Sequence, residues 1–509
     1  MARTVDLYFP ADARASANEV VLPVAGPQLQ RLQEAIRSLG WEPRLLNPEG
    51  PVDSVARGIE VIRRAGGERL LVFMAGWTYP DFTVTPLALL PPELPKLLLG
   101  SAIPDFPGAV GLLAAASGLE HVGVRSSRLF VGDFDETGEW LDALGRFLEE
   151  GSLPPPALET VPVEPGAEDR ERARAAVQAL RGRLYGAVGP RSMEMWNKIS
   201  EADFLSVFGV ARLGFDGLRL AHMAEAVDRR RAEAAVDWLL EQGMELRLGE
   251  DPARDLTRDQ VVFQMQVYFA LLELKDRFGL HFLGVQDQLD WIEHYPATDL
   301  SLGLLNNRLR PEGDGETVVA ATEADDGAAV TMELLKLLNG GEPVGFHDLR
   351  YWKDGLYWFV NSGALAPYFA QGRHDSLEGA WSERQTPMYF GAGGGTCSVV
   401  VRVPGVFTWA RFSYRDHRPY LCAGRGLTDI PDEEQWRERS ARCSPDWPQH
   451  YLRLCGPVEQ FLNSNHPMAA RGDHLAALRA VAEELGLPFE CYDTCTPAEL
   501  EAKRTAATA

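Results

Sequence analysis

The strongest constraint on the fold is an alternation in the first third of the chain. "RLLVFMAGW", residues 69–77, is a continuous apolar run of strand length, the kind buried on both faces of a sheet. Around it, apolar residues recur at helical spacing. In "PQLQRLQEAIRSLGW" they are Leu29, Leu32, Ile36 and Leu39, ending at Gly40, and "VARGIEVIRRAGG" repeats the pattern up to a Gly pair. "TVDLYFP" and "RLFVGDF" read as further strands and "PGAVGLLAAASGL" as a small-residue helix. Such alternation implies a mostly parallel sheet with helices on both faces. It pauses in the Pro-rich stretch 149–169, which reads as a connecting arm along a surface. It resumes at "DRERARAAVQALRG" and "RLYGAVGP" and runs through "HFLGVQDQLDW" and "ETVVAATE" to Gly340-Gly341.

Beyond that pair the texture changes. "VGFHDLRYW", "GLYWFVNSG", "SVVVRVPGVFTWARFSY" and "RPYLCAG" are short strands separated by turn residues, which suggests an antiparallel sheet or barrel. The expected architecture is therefore α/β. Two α/β domains, 1–180 and 181–340, precede a β-rich domain, 341–509. Three domains also suit 509 residues at roughly 150 per domain. A net charge of -23 argues against nucleic acid and anionic membranes as main partners, since both demand basic surface. No apolar run reaches the ~18 residues of a membrane span. The first residues lack a signal peptide's long apolar core, so a cytoplasmic protein is expected. All six cysteines lie in the last quarter without a CxxC pair, and reduced thiols are the expectation.

The chemistry begins at "VVAATEADDG", where an apolar run ends in Glu323, Asp325 and Asp326. Asp325 or Asp326 suits the N-cap of the helix that follows. Glu323 ends the strand, the end where α/β sheets gather ligands. Taken alone, it reads as the partner of an Arg or Lys. The next strand, "PVGFHDLRYW", offers a second acid. Val344, Phe346 and Asp348 share one face, and His347 points the other way toward a structural role. An Asp on an apolar face is costly unless paired. Two carboxylates at strand ends suit a hard divalent cation, Mn2+ or Mg2+, and an imidazole would complete the set. His466, between Asn465 and Pro467, fits better than His474, which sits in a helix's first turn. That helix carries Leu475, Leu478, Ala482 and Leu485 on one face, with Asp473 as its expected cap.

Several blocks in register resemble L-fucose isomerases, a family that also acts on D-arabinose. They are "FMAGWTYPDF", "GAVGPRSMEMWNK", "GVQDQLDWIEHYP", "VVAATEADDGAAVTM", "FHDLRYW", "VNSG" and "SNHPM...GDHLAALRAVAEELGLP". The resemblance implies a cytoplasmic aldose–ketose isomerase working through an ene-diol on L-fucose/L-fuculose or D-arabinose/D-ribulose. It implies manganese, with magnesium or cobalt as alternatives, on Glu323, Asp348 and His466, the two acids doubling as proton carriers. Gln286, Ser362, Trp447, Asn465, Met193 and Trp77 would contact the sugar. It further implies a homohexamer in which a neighbouring subunit supplies Trp77. Two departures concern the substrate: the family's N-terminal arginine has no clear counterpart in "LYFPADARASANE", and a tyrosine expected after "GAGGG" is Thr396. The same fold acting on another aldose, or a relative that binds metal and sugar without turnover, are the alternatives.

Overall fold

The computed structural model describes residues 3–136, 138–196, 198–443, 447–496, 498–500 and 502. Five parallel strands form the first sheet: β1 (Thr4–Tyr8), β2 (Glu42–Leu45), β3 (Arg69–Met74), β4 (Lys96–Ser101) and β5 (Ser127–Val131), in the order β2-β1-β3-β4-β5. The apolar strand β3 is covered on both sides, as its composition requires. Leu71 and Phe73 pack with Val21, Leu32 and Ile36, whereas Leu70, Val72 and Met74 pack with Val61, Phe82 and Leu112. The first helix, Ala15–Ser38, begins well before Pro27 and carries Pro23 and Pro27 inside it. Its buried residues Ala17, Val21 and Ala25 continue the helical spacing upstream, which explains the longer reach.

The second sheet is also parallel. It contains β6 (Leu184–Val188), β7 (Ala211–Phe215), β8 (Phe282–Val285) and β9 (Ala320–Thr322), ordered β9-β8-β6-β7. The helix Arg258–Phe278 flanks it, closed at its start by a capping box of Thr257 and Gln260. The chain leaves β9 through Glu323 and Ala324 and enters the helix Asp326–Leu338.

The C-terminal region is β-rich, as expected. The strands of its main sheet are β10 (Gly345–Phe346), β11 (Asp348–Lys353), β12 (Leu356–Val360), β13 (Val406–Arg415), β14 (Arg418–Thr428), β15 (Gln449–Leu454), β16 (Met468–Arg471) and β17 (Phe489–Cys491). They run in the order β10-β16-β13-β14-β15-β12-β11, with β17 also on β14. Only His347 separates β10 from β11, so both ends of the path belong to one stretch of chain and the sheet curls back on itself. A β-bulge between Leu349 and Tyr351 breaks the register of β11 against β12 at Arg350.

The first sheet docks on this curled sheet. Arg128 donates to the Leu462 carbonyl and to Asn463, each at 2.7 Å, and Phe130 meets Trp352 edge-on at 5.0 Å. One cysteine expectation is corrected: Cys455 and Cys495 form a disulfide. The segment after β17 folds back beside β15, with Thr494 donating to the Cys455 carbonyl at 2.5 Å, which brings the two Cα atoms to 5.4 Å. Cys397, Cys422 and Cys491 are free thiols. Among the described residues no helix is long and apolar enough to cross a membrane.

Candidate active site

Glu323 leaves the carboxyl end of β9 with φ +62°, and Ala324 follows at +48°. A left-handed turn on two non-glycine residues costs on the order of 1–3 kcal/mol each and survives only where its surroundings enforce it. Here the Ala324 N–H donates to the Val285 carbonyl at 3.0 Å, which ties the turn to β8. Gly284 lets the turn lie this close, since a Cβ on it would sit 3.1 Å from Ala324 Cα. The turn aims Glu323 into the space between the second sheet and the curled sheet.

Two further side chains meet it there. Asp348 opens β11 and His466 precedes β16. Each of the three offers a ligand atom, and these atoms all lie within 4.8 Å of one another. His466 Nε2 stands 3.3 Å from Asp348 and 3.6 Å from Glu323. Its other ring nitrogen, Nδ1, is 2.7 Å from Asp325 Oδ2. Asn465 donates to Asp348 at 3.1 Å, and Ser362 donates to Glu323 at 3.4 Å.

The electrostatics are unusual. Burial pushes Glu323 up to about 7, with Asp348 and Asp325 adding to the push and His466 opposing it. Burial works against a charge on His466 too, yet Glu323, Asp348 and the bond to Asp325 hold it up to about 10. Asp325 shows the reverse balance: although buried, it is held down to about 2 by Arg411 and His466. Two acids that repel each other in a dry pocket lower their cost by taking a cation between them. The carboxylates around His466 favour its charged form, which offsets them. Two carboxylate oxygens and one imidazole nitrogen equally fit a divalent ion, with His466 Nε2 giving up its proton.

The cluster lines a cavity. Trp77, Met193, Ser362, Trp447 and Asn465 line it, together with the three cluster residues. Met193 sits in a second strained non-glycine pair, with φ +31° there and +58° at Glu194. Trp447 donates through Nε1 to Gln385 at 2.7 Å and stacks on Tyr389 with ring centroids 5.9 Å apart. The cavity thus joins a charged, hydrogen-bonded end to aromatic and apolar walls, the make-up of a small-molecule site.

No protein-family model matches the chain. Curated relatives do. An L-fucose isomerase from Vibrio vulnificus is 25% identical over 431 residues, 73% of this chain and 70% of that protein. One from Haemophilus influenzae is 24% identical over 486 residues, 81% of this chain and 78% of its own. One from Bacteroides thetaiotaomicron is 24% identical over 479 residues, 80% of this chain and 77% of its own. The chain is similar to L-fucose isomerases. Among solved structures, a transcription regulator like protein from Staphylococcus haemolyticus aligns with 67% of this chain and 94% of its own at 8% identity, but its TM-score of 0.16 carries no argument.

Of the residues expected from the likeness to L-fucose isomerases, five line the cavity beside the cluster. Gln286 is not on the cavity. Its Oε1 accepts the Gln288 backbone N–H at 2.8 Å, which turns it inward, and Gln288 lines the cavity and donates to Ser362 at 3.1 Å. Trp77, in the loop after β3, lines the cavity of its own chain. Arg14, in "LYFPADARASANE", lines the cavity. Asp12 grips its guanidinium at 2.8 and 2.9 Å, and it lies 4.6 Å above the Tyr389 ring. Tyr389 also lines the cavity, ahead of the glycine-rich turn, while Thr396 bonds Ser398 and Glu383 elsewhere.

Two roles were not anticipated. Asp325 does cap the helix, accepting the Ala328 N–H at 2.9 Å, but it also engages His466 and Arg411. Arg350 lines the cavity and donates to the carbonyls of Pro104 and Asp105 at 3.3 and 3.2 Å. Strand alternation from Asp348 would have placed Arg350 on that face. Among the other expectations, Asp326 pairs with Arg212 at 3.4 Å and is pushed up to about 6 by burial. The cap position of the last helix is His474 rather than Asp473, whose carboxylate accepts the Leu475 N–H and pairs with Arg425.

Proposed function

We propose that this chain is a metal-dependent aldose–ketose isomerase that interconverts L-fucose and L-fuculose, or D-arabinose and D-ribulose, in the cytoplasm. The observation that carries the reading is the convergence of Glu323, Asp348 and His466 on the wall of one cavity. The likeness to L-fucose isomerases over most of the chain supports it.

The reaction moves a hydrogen between C1 and C2. Glu323, Asp348 and His466 Nε2 would hold the ion, manganese by family resemblance. A divalent ion supplies positive charge at two adjacent sugar oxygens and offsets the negative charge that grows as the C–H proton leaves. Proton traffic falls to the carboxylates. One of Glu323 and Asp348 takes and returns the carbon-bound proton while the other serves the oxygens; the turn fixes the direction of Glu323, and Asn465 steadies Asp348. Ser362 and Gln288 form a hydrogen-bonded wall beside Glu323 and orient sugar hydroxyls. Trp77, Trp447 and Tyr389 present ring faces to sugar C–H groups and exclude water. A homohexamer, implied by the resemblance, belongs to the proposal.

The test is direct. The chelated protein is titrated with Mn2+ and given a panel of aldoses, and ketose is assayed. Ketose from L-fucose or D-arabinose that depends on added metal is the expected result. Full turnover after thorough chelation would overturn the metal role. Metal binding without turnover on any sugar would leave a binding protein.

A further inference from the structure

We propose that Asp325 is a positioning residue which, held in turn by Arg411, fixes the ring orientation and tautomer of His466. The inference rests on the metal reading of the preceding section and extends it beyond the three ligand residues.

The geometry is a buried chain of contacts. Arg411 on β13 donates from Nη2 to Asp325 Oδ1 at 2.7 Å, and Asp325 Oδ2 meets His466 Nδ1 at 2.7 Å. Both contacts lie in the interior: Arg411, Asp325 and His466 are at most 2% exposed. Oδ1 accepts the Ala328 N–H as well, so the helix cap fixes the carboxylate independently of the histidine. Asp325 Oδ1 accepts from both Arg411 and the Ala328 N–H at the helix N-terminus, the surroundings of a carboxylate. A carboxylate can only accept, so Nδ1 must be the donor. A neutral His466 then carries its proton on Nδ1 and turns the Nε2 lone pair toward Glu323 and Asp348. This is the arrangement a metal-binding histidine requires, and outer partners of this kind commonly raise metal affinity ~10–100-fold.

The position in sequence makes the device economical. Glu323, the ligand, and Asp325, which orients another ligand, stand two residues apart across the strained turn. The element that aims one carboxylate into the cavity places the other behind the histidine. Arg411 matters because a lone buried carboxylate at Asp325 would be costly and would shift toward its protonated form.

Asp325→Asn is the informative variant. Asn caps helices as well as Asp does, so the Asp326–Leu338 helix keeps its start. Its amide can donate to Nδ1 and drive the proton to Nε2, where it blocks a ligand. Mn2+ affinity of the full chain is measured by the free-ion electron paramagnetic resonance signal, with thermal melting alongside. The expected result is wild-type binding and ~10–100-fold weaker binding in Asp325→Asn, read well below a melting temperature that the lost Arg411 ion pair lowers. Equal affinity in the two proteins would overturn the proposal and leave the metal reading intact. No binding by the wild type would overturn the metal reading, and this one with it. A second readout needs no Asp325 variant: 15N-histidine spectra of the Mg2+-loaded wild type should show a slowly exchanging Nδ1–H, assigned through its loss in His466→Gln. Its absence from the wild type would overturn the proposal even if Asp325→Asn failed to fold.

Discussion

Two histidines lie close to one strand and are equally hidden from water, yet they are opposite in character. His466 and His347 are each 1% exposed. His466 faces Glu323 and Asp348 with one nitrogen and Asp325 with the other. His347, on the far side of the β10–β11 strand, lies 5.3 Å from the His450 ring and 5.7 Å from Phe359, and its Nδ1 has no hydrogen-bond partner. Burial drives His347 down to about 3, while the carboxylates hold His466 up to about 10. Burial alone strips a histidine of its proton, and only a built set of acids reverses that. The sign of the shift separates the functional face of the strand from the packing face.

The largest expected effect tests that division directly. Glu323→Gln and His466→Gln each remove a ligand atom, and Glu323→Gln also removes a proton carrier. Each should abolish measurable Mn2+ binding and lower kcat/KM by at least ~10²–10⁴-fold, the scale of general acid–base catalysis. His347→Gln, one residue from Asp348, should keep metal binding and remain within a few-fold of wild-type turnover. Mn2+ titration and a ketose assay on the three variants decide it. A His347 variant as inactive as the His466 variant would break the comparison.

Much of this division was legible in the sequence. Strand alternation put Asp348 and His347 on opposite faces, and the sharp end of an apolar run marked Glu323. Parallel sheets followed by an antiparallel one were also readable, because buried strands and amphipathic helices have different periods. What failed to read depends on contacts remote in sequence. Asp325 looked like a cap alone because its partners His466 and Arg411 lie 141 and 86 residues away. Gln286 was named from the resemblance alone; strand parity ends with β8 at Val285, and in the loop beyond it is Gln288 that lines the cavity. Arg14 was hidden because its place depends on Asp12 and on Tyr389, which only docking of the first sheet brings near. The disulfide likewise joins residues 40 apart, in segments with no shared pattern.

The packing face makes its own prediction, smaller and expressed in stability rather than turnover. His347 is neutral when folded and takes up a proton when unfolded below its ordinary value of 6.5. Its folded-state value is depressed, so the unfolded chain binds more protons below that point and stability falls as pH falls. The contribution is complete above about 6.5 and is lost progressively toward about 3. At 1.36 kcal/mol per pH unit, His347 should withdraw ~2 kcal/mol by pH 5. His450 is lowered in the same direction by burial and by His347, and adds to the slope. Urea unfolding of wild type and His347→Gln between pH 7 and 5 measures this. The variant should show the shallower slope, whatever its absolute stability. Identical slopes would mean that His347 is not held neutral, and the contrast with His466 would lose its packing half.

The smallest expected effect sits between the two extremes, at Arg14. It is a cation on the cavity wall, like a protonated His466, but its charge is already matched by Asp12 in a two-pronged contact. What Arg14 adds is shape: a flat guanidinium 4.6 Å above Tyr389, which itself stacks on Trp447. Arg14→Lys keeps the charge and loses the fork and the stacking. Stacking of this kind is worth ~0.5–1 kcal/mol, so KM for the aldose should rise ~2–5-fold with kcat nearly unchanged and Mn2+ affinity intact. Steady-state kinetics at saturating Mn2+ separates these terms. A loss of kcat comparable to that in Glu323→Gln would show that Arg14 acts on the reacting atoms, and the boundary between the charged end of the cavity and its aromatic wall would have to be redrawn around it.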